Sequence, residues 1–198
     1  GLIDWKKSGG RFTDMGHADY ASGGKDHREP NVCPFKSEEE VWAFDAVKEY
    51  GLPDFDEQVK AYEKRVAHFR KEQPDMFVPG GYYKTIVSGA IAAFGWDMLL
   101  VGASDPVKME KVFDSFFRRT LFFMKAWAKT SVEAVLEHDD FVWTSGPFMH
   151  PDIYRKVIFP RYAELWKVIH DAGKKVLFCA DGNIMDFAED AVAAGADA

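Results

Sequence analysis

Apolar positions along this chain recur at helical spacing in long blocks, separated by short continuous apolar runs. Ser37 and Glu40 stand at capping-box spacing, which predicts a helix over residues 37–50, closed by Gly51 and Pro53. A second helix is expected over residues 54–71, because Val59, Tyr62, Val66 and Phe69 step by three and four and form one stripe. Residues 85–101 are rich in Ala, Ile, Val and Leu, with Gly89 and Gly95 as breaks, and read as a helix on a packed surface. Asp105-Pro106 opens the clearest helix, with proline at its first position. Its stripe of Val112, Phe113, Phe116, Phe117, Leu121, Met124 and Trp127 belongs to a core. A helix over residues 151–172 carries Pro160, which should kink or divide it, and Gly173 closes it. A last helix runs over residues 184–194, closed by Gly195.

Three apolar runs between these helices read as strands: Met76-Phe77-Val78, residues 131–136, and Lys175-Val176-Leu177-Phe178-Cys179. Short apolar strands alternating with amphipathic helices predict an α/β fold with a parallel sheet covered by helices. An open doubly wound sheet and a closed eight-stranded barrel both fit. A length of 198 residues favours the open sheet, since the barrel usually takes about 250. Residues 1–37 hold no period and repeat glycine at Ser8-Gly9-Gly10 and Ser22-Gly23-Gly24, so they read as an irregular arm ahead of a domain over 38–198. His17 and His27, on that arm, are expected to be solvated.

Composition narrows the class. Apolar residues make up 47% and aromatic residues 15%, which excludes intrinsic disorder. The net charge is −7, from 25 Lys and Arg against 32 Asp and Glu, and argues against a nucleic-acid partner, because phosphate-backbone binding rests on clustered cations. Every apolar stretch is interrupted well short of about 18 residues, so no membrane span or membrane partner is expected. The sequence opens at Gly1 with no visible signal peptide, and Cys33 and Cys179 lie far apart, which makes a reducing cytoplasm the default expectation.

Ligands of parallel α/β folds meet the carboxyl ends of the strands. That rule selects Gly80, Gly81, Tyr82 and Tyr83 after the first strand, then His138, Asp139 and Asp140 after the second. After the third it selects Cys179, Asp181, Gly182 and Asn183. Three chemistries are open. Asp139, Asp140 and Asp181 can supply a general acid or base, with one pKa raised by its like-charged neighbours. They can bind cationic or N–H groups of a small-molecule substrate. His138, Cys179 and Asp181 can serve as zinc ligands. Buried-strand packing for Cys179 and turn chemistry for Asp181-Gly182-Asn183 compete with these readings. Adjacent Asp139 and Asp140 at a strand end repel each other and call for compensation.

At these segments the sequence resembles the uroporphyrinogen decarboxylase superfamily. The likeness is carried by His138-Asp139-Asp140-Phe141, Ser145-Gly146-Pro147-Phe148-Met149-His150-Pro151, Phe159-Pro160-Arg161-Tyr162 and Ile169-His170-Asp171-Ala172-Gly173-Lys174-Lys175-Val176. It continues through Asp181-Gly182-Asn183-Ile184 and residues 193–198, and more loosely through Phe94-Gly95-Trp96-Asp97 and Asp105-Pro106-Val107. The resemblance implies a (β/α)8 TIM-type barrel of which this chain is an incomplete part. Of the family's activities it leans to the corrinoid-linked methyltransferase branch, on the Gly182-Asn183-Ile184 turn and the Asp140 to Gly146-Pro147 spacing. The implied cofactor is then zinc, with a corrinoid protein as methyl-donor partner. The family's zinc enzymes carry His-x-Cys where this chain has Cys179 and Asp181, so those two become the metal positions. Asp139, Asp140 and Asp181 become the catalytic candidates. Tyr82, Tyr83, His138, His150 and Asn183 become substrate contacts. The alternatives are uroporphyrinogen III decarboxylation without a cofactor, and a barrel that binds a ligand without chemistry. A homodimer is compatible with either.

Overall fold

The structure is a computed structural model. It describes residues 35–198, together with the backbone of residues 11–12, 17–19 and 25–27. Those three short segments are β1 (Arg11–Phe12), β2 (His17–Asp19) and β3 (Lys25–His27), which pair as an antiparallel meander inside the stretch expected to be irregular. Cys33, the two glycine repeats and the side chains of His17 and His27 lie outside the described residues.

The expected first helix is two. α1 (Glu38–Trp42) is capped by Ser37, whose hydroxyl accepts from Glu40 N, while the Glu40 carboxylate reaches back to Lys36 N at 2.7 Å. Asp45 then caps α2 (Ala46–Tyr50) by accepting from Val47 N and Lys48 N, and this second cap divides the helix. α3 (Phe55–Glu72), α4 (Val87–Gly102) and α5 (Pro106–Ala128) follow the expected periodicity, with a non-helical residue at Gly95 inside α4. α5 buries Val112, Phe113, Phe116, Phe117, Met124 and Trp127.

The parallel sheet consists of β4 (Gly80–Tyr83), β5 (Ala134–His138) and β6 (Lys175–Cys179), in the order β4-β5-β6. β4 begins after the apolar run Met76-Phe77-Val78 that the sequence suggested. Met76 and Phe77 are exposed instead, and Pro79 has no N–H to give a ladder. Pairing with β5 places Gly-Gly-Tyr-Tyr in the sheet against its modest strand propensity. Gly80 is needed there because a Cβ would lie 2.7 Å from the Trp127 ring, so α5 could not pack so close.

Pro160 divides the helix after β5, as expected, and it does so through a π-turn. α6 (Pro151–Ile153) runs into a π-helical turn, Tyr154–Ile158, and then α7 (Phe159–Asp171). Pro160 cannot bond to the carbonyl four residues back, and the preceding Phe159 N–H reaches Tyr154 O five residues back. A 3₁₀ turn, Met185–Phe187, leads into α8 (Ala188–Ala194), closed by left-handed Gly195.

α5 joins β4 toward β5, α7 joins β5 to β6, and these two helices pack on each other. Crossovers between parallel strands are right-handed, so an unreversed strand order carries both helices to the same side. Residues facing that side, Val135, Glu137 and Val176, are buried, whereas Gly81, Leu136 and Leu177 on the other side are only partly covered. Residues 197 and 198 pair with the second edge of β6: Ala198 N donates to Val176 O, and Phe178 N donates to Ala198 O at 2.7 Å.

Candidate functional site

Strand alternation sorts the carboxyl end of the sheet into two rows. Tyr83, His138 and Cys179 are register partners on the open side, and Tyr82, Glu137 and Phe178 are partners on the helix side. The two tyrosines expected to share a pocket therefore part company. Tyr82 stacks on Phe123 with centroids 4.8 Å apart and accepts from Arg119 Nη1 at 3.0 Å. Burial pushes its hydroxyl up to about 12. It packs in the helix layer, on the opposite side of the sheet from Tyr83.

Asp139 and Asp140 separate in the same way. Asp139 is fully buried and accepts from Ile86 N, Val87 N, Ser88 N (2.5 Å) and the Tyr162 hydroxyl (2.6 Å). Those amides open α4, where a carboxylate also meets the favourable end of the helix dipole. Asp139 thus acts as a positioning residue with no face toward the open end, not as a group placed to react. This arrangement also supplies the compensation that two adjacent carboxylates require.

Asp140 turns the other way. Its Oδ1 lies 2.8 Å from His138 Nε2 and accepts from Asp181 N at 2.9 Å, while Oδ2 accepts from the Tyr83 hydroxyl at 3.0 Å. Its own N–H donates to Ser88 Oγ at 2.6 Å, so the start of α4, anchored by Asp139, in turn holds Asp140. The Tyr83 ring stands edge-on to the His138 ring at 4.2 Å. His138 and Asp140 keep side-chain exposures of 19% and 26%, enough for a ligand to reach them. His138, Asp140 and Asp181 each offer one ligand atom, and these atoms lie within 4.8 Å of one another.

Cys179 sits beside His138 in the register but outside that trio. Burial, then the Asp181 and Asp140 carboxylates, push its thiol pKa up, so it stays protonated near neutrality. Tyr83 is likewise pushed up, by burial first and by the Asp140 charge next, and serves as a hydroxyl donor. His150 and Asn183 lie in turns. Exposed His150 caps α6 through Nδ1, accepting from Asp152 N at 3.2 Å. Asn183 Oδ1 accepts from Met185 N at 3.1 Å, and its N–H donates to Trp143 O at 2.8 Å. These two bonds close the turn after β6, and neither residue joins the trio.

The loop after β5 forms the neighbouring wall. Trp143 and Gly146 exchange backbone hydrogen bonds of 2.8 and 3.0 Å. Gly182, at φ +114, presses so close that a Cβ would meet Val142 O at 2.7 Å and Trp143 O at 2.9 Å. This seam joins the loops after β5 and β6. Trp96, Trp143 and Phe148 pack together there, with centroids 4.9–5.6 Å apart. Sequence reasoning did not single out Ser88 or this trio of rings. An exposed aromatic directly after a strand end, Trp143, was the available signal. Ser88 had none, because its partner is 52 residues away.

No protein-family model, curated protein or solved structure matches this chain. Among the described residues, no helix is long and apolar enough to cross a membrane. The structure therefore stands as a mixed α/β chain with a three-stranded parallel sheet whose carboxyl end gathers His138, Asp140, Asp181, Tyr83 and Cys179.

Proposed function

We propose that this chain carries the active end of a (β/α)8-type barrel enzyme similar to the uroporphyrinogen decarboxylase superfamily, nearer its corrinoid-linked methyltransferase branch. The observation that carries this reading is the convergence of Tyr83, His138, Asp140, Cys179 and Asp181 from three consecutive parallel strands on one open carboxyl end. The barrel reading is supported by the unreversed strand order, the helices gathered on one side, and residues 197–198 adding to the free edge of β6. A doubly wound sheet would reverse its order at a switch point and place helices on both faces.

His138, Asp140 and Asp181 are a nitrogen and two oxygen donors, a set that fits zinc or a harder divalent cation. Such an ion, when bound, would lower the pKa of a thiol or a water. The chain's own groups prepare the place. Tyr83 holds one oxygen of Asp140, His138 sets the other, and Asp139 fixes the Ser88 turn that holds the Asp140 backbone. Partly covered Leu136 and Leu177 line the sheet below, where a small substrate would meet an apolar floor.

One observation favours the cofactor-free decarboxylase as a second reading. The trio includes no thiolate, and Cys179 is held as a thiol, so the carboxylates are free to receive pyrrole N–H groups. Assaying the protein for bound metal, for methyl transfer from a methyl-corrinoid protein and for CO2 release from uroporphyrinogen separates the readings. Metal with methyl transfer supports the first, and metal-independent CO2 release supports the second. Neither turnover sinks both and leaves a ligand-binding barrel.

A further inference from the structure

A cavity lies at the end of the sheet opposite that cluster. It has a volume of about 210 Å³ and is lined by Arg65, Val66 and Phe69 of α3, Gln73, residues 77–79 of the following loop, and Trp127 of α5. Its wall is rigid. The Trp127 ring is fully buried, stacked on Tyr62 at 3.8 Å and pressed against Gly80. Its rim is apolar and wet: Phe69 is 42% exposed and Phe77 59%, with Met76 beside them at 62%. Two exposed aromatic rings, Phe69 and Phe77, line this formed cavity, and exposed apolar surface of that kind marks places where ligands or partners meet a protein.

The polar groups at this cavity have a single sign. Arg65 places its guanidinium 5.8 Å from the Trp127 ring centroid and has no carboxylate partner among the described residues. The neighbouring cation Arg70 is taken up by Ser131, donating to its hydroxyl at 3.0 Å and its carbonyl at 3.1 Å. The Gln73 side chain adds an amide at the same wall. Among the described residues, no acidic side chain lines the cavity.

We propose that this cavity is a binding site for a small aryl carboxylate, with its ring body against Phe69 and Phe77 at the edge of Trp127 and its carboxylate on Arg65. Charge complementarity selects an anion, since an unpaired guanidinium over an apolar wall offers a planar fork that matches a carboxylate. Size selects one or two rings, because drug-sized ligands fill about 300–1,000 Å³. The site lies away from the carboxyl-end cluster and does not depend on the chemistry proposed for it.

The test uses the whole chain with 2-naphthoate and its uncharged analogue 2-naphthylmethanol, followed by calorimetry and by amide and indole NMR shifts. Naphthoate is expected to bind, with shifts centred on Trp127, Phe69 and Phe77, and to bind more tightly than the alcohol. Arg65→Gln, an exposed substitution, should weaken naphthoate about tenfold or more and leave the alcohol unchanged. Asp181→Asn, at the other end, should change neither. Absence of naphthoate binding at millimolar concentration overturns the proposal. So do shifts centred on Tyr83 and His138, or an Arg65→Gln variant that binds naphthoate as tightly as the parent.

Discussion

Two rows of side chains stand one residue apart on the same three strands, and they have opposite fates. Tyr82, Glu137 and Phe178 face the helices, where Glu137 is buried and bonded to Trp166 Nε1 at 2.5 Å. Burial, then the charge of Asp139, push the Glu137 carboxyl up to about 8. Hydrogen bonding from Trp166 and from the buried Thr85 hydroxyl only partly offsets that rise. Tyr83, His138 and Cys179 face the open side, where Asp140 and Asp181 gather partly exposed donors. The difference shows that chemistry at this strand end depends less on residue type than on which side of the sheet a residue takes. A carboxylate on the helix side becomes part of the packing, and one on the open side stays available.

The strongest way to break the comparison is Asp139→Ala. It strips three backbone amides and the Tyr162 hydroxyl of their acceptor at a fully buried position, and should cost about 3–5 kcal/mol. Asp140→Asn should cost under about 1 kcal/mol, because its position is partly solvated, the amide oxygen can still accept from Asp181 N, and the amide nitrogen can donate to the Tyr83 oxygen. Urea midpoints measure both, and equal losses would erase the distinction between the two aspartates.

Glu137→Gln sharpens it through pH. The folded pKa, about 8, stands above the unfolded value near 4.3, so the folded state binds the extra proton. The contribution of Glu137 is fully present below about pH 4.3 and is lost as pH rises through 8. The parent should lose a few kcal/mol across that window, at about 1.4 kcal/mol for each pKa unit of difference. Glu137→Gln should flatten the profile, which denaturation at pH 5, 7 and 8.5 would register.

On the open row the expected effects fall on binding more than stability. His138→Ala and Asp181→Asn should weaken divalent-cation affinity by about 100-fold or more. Tyr83→Phe, which removes only a support of Asp140, should weaken it by about 10-fold. Calorimetric titration with Zn2+ ranks them, and unchanged affinity in all three would remove the metal from the proposal.

The smallest effect belongs to Asp197, beside both rows on the edge of β6. Lys175, the Val176 amide and His170 hold its carboxyl well below the usual range. A depressed pKa means its contribution is present above about pH 4 and is lost as pH falls toward the folded value. Asp197→Asn should cost about 1 kcal/mol or less at pH 7 and less still near pH 2. Thermal melts at the two pH values test that sign.

Much of the helix layer was legible in the chain itself. The stripes of α3 and α5, the cap at Ser37, the Asp105-Pro106 start of α5 and the terminator Gly195 are local signals, set by contacts within a turn or two. The β6 strand was legible for the same reason. The place of β4 was not, because Gly80 and its neighbours enter the sheet through pairing with β5 and through the approach of Trp127, more than 40 residues away. Of the candidate site, the strand-end rule found His138, Asp140, Cys179, Asp181 and Tyr83. It could not separate them from Asp139 and Tyr82, nor from Asn183, whose side chain closes a local turn, as does that of His150, which the resemblance had added.

The sequence by itself determined the long helices α3, α4 and α5 and which residue types collect at the strand ends, since both rest on spacing within a single element. Only the tertiary structure decided which of two adjacent aspartates is buried and which is offered to a ligand. That choice depends on which side of β5 the helices cover and on where the first turn of α4 presents its unpaired amides. Both are contacts between segments about 50 residues apart in the chain.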